Sequence, residues 1–550
     1  MKALKFVVDG VILEIEKESI KLSEIAKMLE DRYEGHICMG VINNKLYDLN
    51  RTLYRGCEIK FIDTTEVEGD RMYFRGLSLL LMLACRDLYH GSKVYIKHSI
   101  GDGLYCVVED MPKLTDKDIK DIENKMLEYV KEDHEIICRY LPNDQAIEKF
   151  SKLGRFEKAE ILKYRTEDLT KVYECCGYFD YFYGYMYPST GYLKDLGVAK
   201  MADGLVILGP DKGIKGTVTS FKEMSKLSDV YRESETWSEA LGIDTVVDLN
   251  RIIENNLYGE MIRTVEALHE KKIAEIADTI VKSNKKIILI AAPSSSGKTS
   301  FAHRLSTQLR VNGLHTLAIS LDDYFVNRVD TPRNEDGDPD YESIESIDIN
   351  RFNNDLNKLL AGEEIEKIKF DFMDGVRVYT GEKISIDEKQ PIILEGIHGL
   401  NPILTKSIEE SLKFRIYISV ITQVNLDDHN RIPTTDLRLL RRMVRDYNFR
   451  GMDAETTMDI WPSVRRGEKK NIFPYQEQAD VMFNSASVYE IPVLKNQAIK
   501  ILKEVNETSR HHLEAVRLRK LLQYFDELND IGDIGPTAII REFIGGSRIV

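Results

Sequence analysis

The stretch Ala292-Pro293-Ser294-Ser295-Ser296-Gly297-Lys298-Thr299 constrains this 550-residue chain more than any other. It follows the apolar run Ile287-Ile288-Leu289-Ile290 and precedes a helix-like stretch that starts near Ser300. The order is strand, small-residue loop, helix, with a lysine and a hydroxyl at the helix start. Such a loop turns backbone N–H groups toward a phosphate chain, and the helix N-terminus adds its partial positive charge. Ser294, Ser295, Ser296 and Gly297 are the expected cradle, with Ser300 in the first helical turn. Lys298 is placed to reach the β- and γ-phosphates, and Thr299 to ligate Mg²⁺. The pattern implies that a nucleoside triphosphate, ATP, binds here. The usual loop opens on glycine; alanine serves at position 292 as long as its φ stays negative.

A chain of this length is too long for one core, so three or more domains are expected. Hydrophobic content of 43% and charged content of 30% describe an ordinary soluble composition. A net charge of −15 disfavours nucleic acid as a partner over any broad surface. The longest greasy run, Leu77 to Cys85, spans about nine residues against the roughly 20 that cross a bilayer, so no membrane segment is expected. The opening MKALKFVVDG holds too short an apolar run for a secretion signal. The cysteines all lie at or before Cys176, number seven, and form no CxxC pair. Free thiols in a reducing, cytoplasmic setting are expected.

Boundaries read at 1–62, 63–230, a helical linker 231–283, 284–490 and a tail 491–550. In the first segment, Leu4–Val8 and Val11–Ile15 read as strands joined by an Asp9-Gly10 hairpin turn. Ser23 to about Arg32 reads as an amphipathic helix, with further strands near Cys38–Ile42 and Cys57–Ile62. The tail reads as one long amphipathic helix from about 495 to Asp526. It docks on the body or joins a second copy of the chain; the sequence leaves both open.

The early Asp-Gly, the Ala-x-Met-Leu helix and Asn43-Asn44-Lys45-Leu46-Tyr47-Asp48-Leu49 resemble the ubiquitin-like TGS domain of threonyl-tRNA synthetases and some GTPases. The resemblance implies a β-grasp fold, acting as a structural cap or as an RNA or regulatory module. Residues 63–230 resemble the second domain of threonyl-tRNA synthetase, through Ile96-Lys97-His98-Ser99-Ile100-Gly101-Asp102-Gly103-Leu104-Tyr105, the helix Asp116–Glu132 and Cys175-Cys176-Gly177. In that family this domain removes mischarged amino acids through a histidine- and cysteine-lined site. Here the histidine pair expected near Arg75–Leu81 is absent, and Tyr178-Phe179 follow Cys176-Gly177. Hydrolysis needs those side chains. The domain therefore reads as chemically silent, His98 as a surface or turn histidine, and Tyr178–Tyr187 as a packed tyrosine-rich core.

Beyond the loop, Thr316–Leu321 reads as a second strand ending in Asp322-Asp323-Tyr324-Phe325, and Pro391–Leu394 as a third ending in Glu395-Gly396. Carboxylates just past a strand's C-terminal end sit where α/β sheets bind ligands. Thr299, Asp322 or Asp323, and Glu395 thus form a candidate Mg²⁺ shell plus a base. Arg438, Arg441, Arg442 and Arg445 recur at helical spacing, followed by Arg450. A face so rich in arginine points to phosphate contacts and a closing lid.

These segments in this order, with Asp371-Phe372, Arg377 and Phe473-Pro474 leading to Ala479-Asp480-Val481, resemble the uridine kinase and phosphoribulokinase family. The resemblance implies an α/β P-loop kinase domain with a parallel sheet, behind the β-grasp and α+β synthetase-like domains. By similarity, Asp322 takes the proton from a sugar 5′-hydroxyl, Glu395 helps hold Mg²⁺, and Arg441, Arg442, Arg445 and Arg450 belong to the lid. Asp338 or Asp340 faces the ribose hydroxyls, and Asp371 and Arg377 lie on the substrate side.

Pyrimidine kinases carry Tyr-Asp-Phe and a nearby histidine where this chain has Phe370-Asp371-Phe372 and Gly375. The contacts that read a pyrimidine ring are partly gone, which alters selectivity. The expected activity is ATP- and Mg²⁺-dependent transfer to a nucleoside-like small molecule. Two alternatives stay open: an RNA-binding or translation-linked regulatory NTPase, and a kinase of another small hydroxyl metabolite.

Overall fold

The computed structural model describes residues 3–90, 92–109, 111, 113–334 and 337–550. Strands β1 (Leu4–Val8), β2 (Val11–Ile15), β3 (Ile37–Ile42), β4 (Lys45–Asp48) and β5 (Glu58–Asp63) form a sheet in the order β2-β1-β5-β3-β4. The β1–β2 turn puts Asp9 at φ +44° and Gly10 at φ +80°, the left-handed pair a two-residue hairpin needs. Helix α1 (Leu22–Leu29) buries Leu22, Ile25, Ala26 and Leu29 against that sheet, and a single 3₁₀ turn continues to Arg32. This is the expected β-grasp arrangement.

Helix α2 (Val67–Leu88) contains the greasy run Leu77–Cys85, all of it buried. A helix apolar on every side belongs in a core rather than at a surface. Around it lie β6 (Val94–Ile100), β7 (Gly103–Val108), helix α3 (Asp116–Glu132), β8 (Ile137–Pro142), β9 (Leu169–Cys175), β10 (Tyr178–Asp180), β11 (Gly197–Met201) and β12 (Gly204–Leu208). They form one sheet of order β11-β12-β7-β6 and another of order β8-β9-β10. Arg75 fills the space beside the aromatic run, donating to the carbonyls of Tyr185 at 3.0 Å and Tyr183 at 3.3 Å and pairing with Glu68. Tyr181, Phe182 and Tyr187 are buried, as a packed core requires. His98 is on β6 rather than in a turn, stacked flat on Tyr231 and tilted against Tyr105. All seven cysteines are unpaired.

Helices Ser225–Leu241, Val246–Glu254 and Tyr258–Ser283 lead into the third body. Its strands are β13 (Ile287–Ala291), β14 (Leu317–Ser320), β17 (Ile392–Glu395), β18 (Lys413–Ser419) and β19 (Val481–Asn484), all parallel in the order β14-β17-β13-β18-β19. Strands β15 (Ile365–Asp371) and β16 (Val376–Ile384) make a separate antiparallel hairpin. Central β13 is buried along its whole length, which explains its unbroken apolar sequence. Helix α4 (Lys298–Val311) follows β13; helices α5 (Thr434–Arg450) and α6 (Ala454–Asn471) stand beside the loop.

The tail departs from expectation. Helix Glu490–Lys503 and helix His512–Gln523 are separate. Between them Asn506 accepts hydrogen bonds from Thr508 and Ser509, a local polar turn that competes with helix. Two buried ionic clusters join the front half to the third body. Lys158 lies 2.8 Å from Asp180 and 3.1 Å from Asp427, and Asp180 also meets His429 at 2.6 Å. Asp436, at the start of α5, receives Arg71 at 3.1 Å and Arg517 at 2.7 Å. Among the described residues no helix is long and apolar enough to cross a membrane.

Candidate functional site at the ends of the parallel strands

The loop after β13 delivers its polar atoms to the sheet's C-terminal edge. Ala292 is fully buried and stays out of the left-handed region; that conformation falls instead on Ser295 at φ +60° and Gly297 at φ +74°. Gly297 caps α4, so Lys298 and Thr299 open the helix with their side chains partly accessible, and Ser300 is buried.

Register brings the acids to the same place. Glu395 pairs with Ser320 on one side and with Ile290 on the other, so the ends of β14, β17 and β13 are level. Asp322 follows in the turn after β14. It is reached by solvent yet crowded by protein, and this crowding raises its carboxyl pKa against the pull of Lys298 and Arg450. Burial pushes Glu395 up to about 7; Lys298 opposes the shift, and Asp322 adds to it. Lys298 therefore feels both carboxylates. Asp323 is differently engaged: its Oδ1 accepts the Phe370 N–H at 3.3 Å and ties the β15–β16 hairpin to the sheet.

Three acids that carry no motif complete the setting. Glu342 follows the Asp338–Tyr341 turn and is pushed to about 7 by burial, then by repulsion from Glu468, with Arg442 and Lys298 opposing. Glu468, fully buried on α6, accepts the Ser294 N–H at 3.2 Å. Glu542 accepts from the Ser300 hydroxyl at 2.7 Å. Only the acid-rich run around Glu342 left a trace in the sequence; Glu468 and Glu542 come from distant elements with unremarkable local composition.

The arginines split into two groups, which the helical spacing alone did not reveal. Arg438 donates to the Ser294 carbonyl at 3.0 Å and pairs with Glu468. Arg441, fully buried, donates to the Ser295 carbonyl at 3.2 Å and grips Glu490. Arg442 reaches the Ser294 hydroxyl at 2.7 Å. Arg438 and Arg441 thus hold carbonyls of the loop and Arg442 a hydroxyl of it. Arg445 lies 2.7 Å from buried Asp446 and Arg450 3.6 Å from it; Arg450 is half-exposed and is the one whose charge reaches Asp322.

The remaining expected residues line the hairpin side. Arg377 bonds Asp348 at 3.0 Å and the carbonyls of Phe325 and Tyr324. Asp371 accepts from the amides of Met373 and Asp374, closing the β15–β16 turn. Asp340 accepts the Glu342 N–H at 3.1 Å. Asp338 is exposed, its amide bonded to Asn334, next to residues 335–336, which lie outside the described residues. Phe325, Phe370 and Phe372 pack edge-to-face at 5.1–6.3 Å beside Asp323, leaving Phe372 59% exposed. Gly375 packs beneath Arg328, which donates to the carbonyls of the hairpin turn. Among the described residues no group of three or more His, Cys, Asp or Glu side chains is placed to hold a metal ion alone.

The parallel sheet, its glycine-lysine-threonine loop and the carboxylates at its strand ends make the third body a P-loop kinase fold. Residues 287–492 match the model of the Phosphoribulokinase / Uridine kinase family. The N-terminal regions are similar to threonine–tRNA ligases. That of Natranaerobius thermophilus is 33% identical over 188 residues, 34% of this chain and 29% of the ligase. That of Aquifex aeolicus is 30% identical over 195 residues, 35% of this chain and 30% of the ligase. The chain thus spans under a third of the length of these relatives. A solved structure titled "Possible Uridine Kinase" from Bacillus stearothermophilus aligns over 39% of this chain and 98% of its own, at 18% identity and a TM-score of 0.27.

Proposed function

We propose that the chain is an ATP-dependent phosphotransferase whose acceptor is the 5′-hydroxyl of a nucleoside. The observation that carries this reading is the common field of Lys298, at the start of α4, Asp322, just past β14, and Glu395, at the end of β17, beside three level strand ends. In this reading the amides of residues 295–300 and Lys298 cradle the triphosphate, the Ser294 amide being held by Glu468. Asp322 accepts the hydroxyl proton, and its raised pKa moves it toward the neutral range where a base works best. Arg450 and Arg445 offset charge that builds on the moving phosphoryl group. Arg441 and Arg442 act one step back, fixing the loop. The Thr299 hydroxyl and the Glu395 carboxylate are hard oxygen donors that fit Mg²⁺, which when bound neutralises phosphate charge. The phenylalanine cluster gives a nucleobase a face to stack on. Gly375 offers no side chain to read a base edge, so discrimination among bases falls on shape.

The test is incubation with ATP, MgCl₂ and a panel of purine and pyrimidine nucleosides, with monophosphates detected by mass. A nucleoside monophosphate that disappears in Lys298→Ala supports the reading; ATP hydrolysis with no phosphorylated acceptor overturns the acceptor assignment. The ligase-like front half supports a second reading, a translation-linked NTPase that binds RNA. Retention of RNA that weakens steeply with salt is its signature. Arg75, bonded to the carbonyls of Tyr185 and Tyr183 where the resemblance leads one to expect histidines, argues against hydrolysis there.

A further inference from the structure

The segment from Pro536 to Gly545 packs against the phosphate loop at Gly297 and against the first turn of α4 at Ser300. Ile539, 1% exposed, packs on Gly297 so closely that a Cβ there would lie 2.3 Å from its Cγ2. Three residues on, the Glu542 carboxylate accepts the Ser300 hydroxyl at 2.7 Å. Glu542 also acts on Glu395 and on Arg450, so it lies inside the electrostatic field of the site. The next residue, Phe543, is fully buried against the Arg441 guanidinium, 5.0 Å from ring centre to carbon. Its carbonyl accepts from Asn448 on α5 at 3.4 Å. Arg541 fastens the near end through the carbonyls of Ile531 and Ile534 at 3.0 and 2.7 Å.

A phosphate loop presents its first-turn hydroxyls and amides to the anion it binds, and the helix end favours one negative group there. In this chain that favour is already met by an internal carboxylate on the residue after Thr299. A triphosphate entering the same loop brings further negative charge to a position where Glu542 stands. We propose that residues 536–545 form an autoinhibitory strap: the Glu542 carboxylate competes with the phosphates of the nucleotide for the first turn of α4. Full seating of the nucleotide frees Ser300, and anything that lifts the strap tightens nucleotide binding.

This inference rests on the phosphate-loop reading of residues 292–299. Its test uses the full chain and calorimetric titration with ATP and with ADP. Glu542→Gln keeps the size of the side chain and a hydrogen-bonding oxygen but removes the charge. It is expected to tighten both nucleotides roughly five- to 150-fold, the range of an ordinary coupling between two sites. In the unaltered chain, saturating ATP is expected to speed amide hydrogen exchange in residues 536–545. Equal or weaker affinity in Glu542→Gln, or slower exchange in the strap on ATP binding, overturns the strap. The two failures are separable. If the unaltered chain binds nucleotide and Lys298→Ala does not, the loop reading stands whatever the strap does. If neither the unaltered chain nor Glu542→Gln binds ATP or ADP, both fall together.

Discussion

Glu490 takes two hydrogen bonds of 2.6 Å from Arg441, and neither side chain reaches solvent. The remaining face of that guanidinium holds the carbonyls of Ser295 and Ser485. Ser295 is a non-glycine residue at φ +60°, a conformation that persists only where its surroundings dictate it. The buried pair holds its carbonyl in place. Glu490→Gln leaves a buried guanidinium short of its counter-charge and is expected to cost about 3 kcal/mol of stability. Urea unfolding followed by tryptophan fluorescence measures this; a loss below about 1 kcal/mol would contradict the role given to the pair.

Asp322 and Lys298 are expected to fail differently. Asp322→Asn should lower turnover by about 10²- to 10⁴-fold while ATP still binds, because only proton acceptance is removed. Lys298→Ala should weaken both nucleotide affinity and rate. Steady-state kinetics paired with calorimetry decide it, and near-normal turnover in Asp322→Asn would remove Asp322 as the base.

Glu395 and Glu342 both titrate near 7 rather than at the usual carboxyl value, because burial and neighbouring acids disfavour their charge. A raised folded pKa means the folded state holds those protons more tightly. The stability this provides is present at acid pH and is lost as pH climbs from about 4.5 through about 7. Between about pH 5 and pH 8 the ligand-free melting temperature should therefore fall less in Glu342→Gln than in the unaltered chain. Calorimetric melts across that range provide the comparison, and identical slopes would count against the assignment.

Phe372 stands at the outer edge of the aromatic cluster. If a nucleobase stacks there, Phe372→Ser should raise the acceptor KM about tenfold and leave the KM for ATP unchanged, since stacking on one ring is worth roughly 1–3 kcal/mol. Equal shifts in both constants would point to a general disturbance of the fold instead.

Much of this architecture was legible in residue order. The Ile287–Ile290 run, the small-residue loop and the helix beginning at Lys298 are local patterns, and so are the Asp9-Gly10 turn and helix Asp116–Glu132. The strand ends carrying Asp322 and Glu395 followed from the same periodicities. The partnerships did not. Helical spacing placed Arg438, Arg441 and Arg442 on one face, but only packing shows that face turned toward loop carbonyls and buried acids. Glu468 and Glu542 lie about 170 and 240 residues from the loop atoms they accept from, and no local pattern carries such a distance. The break in the tail helix at Asn506 was visible in composition, as a cluster of Asn, Thr and Ser, and lost to the apolar spacing around it.

Asp436 sits where the two ends of the chain meet: Arg71 approaches it from the front half and Arg517 from beyond the kinase body. Cutting the gene to residues 284–490 would strip away both partners at once. The same cut would leave Asp427 without Lys158. Domain dissection, the usual shortcut to a minimal enzyme, would here yield a destabilised fragment, and inactivity in it would say nothing about the chemistry of the intact molecule.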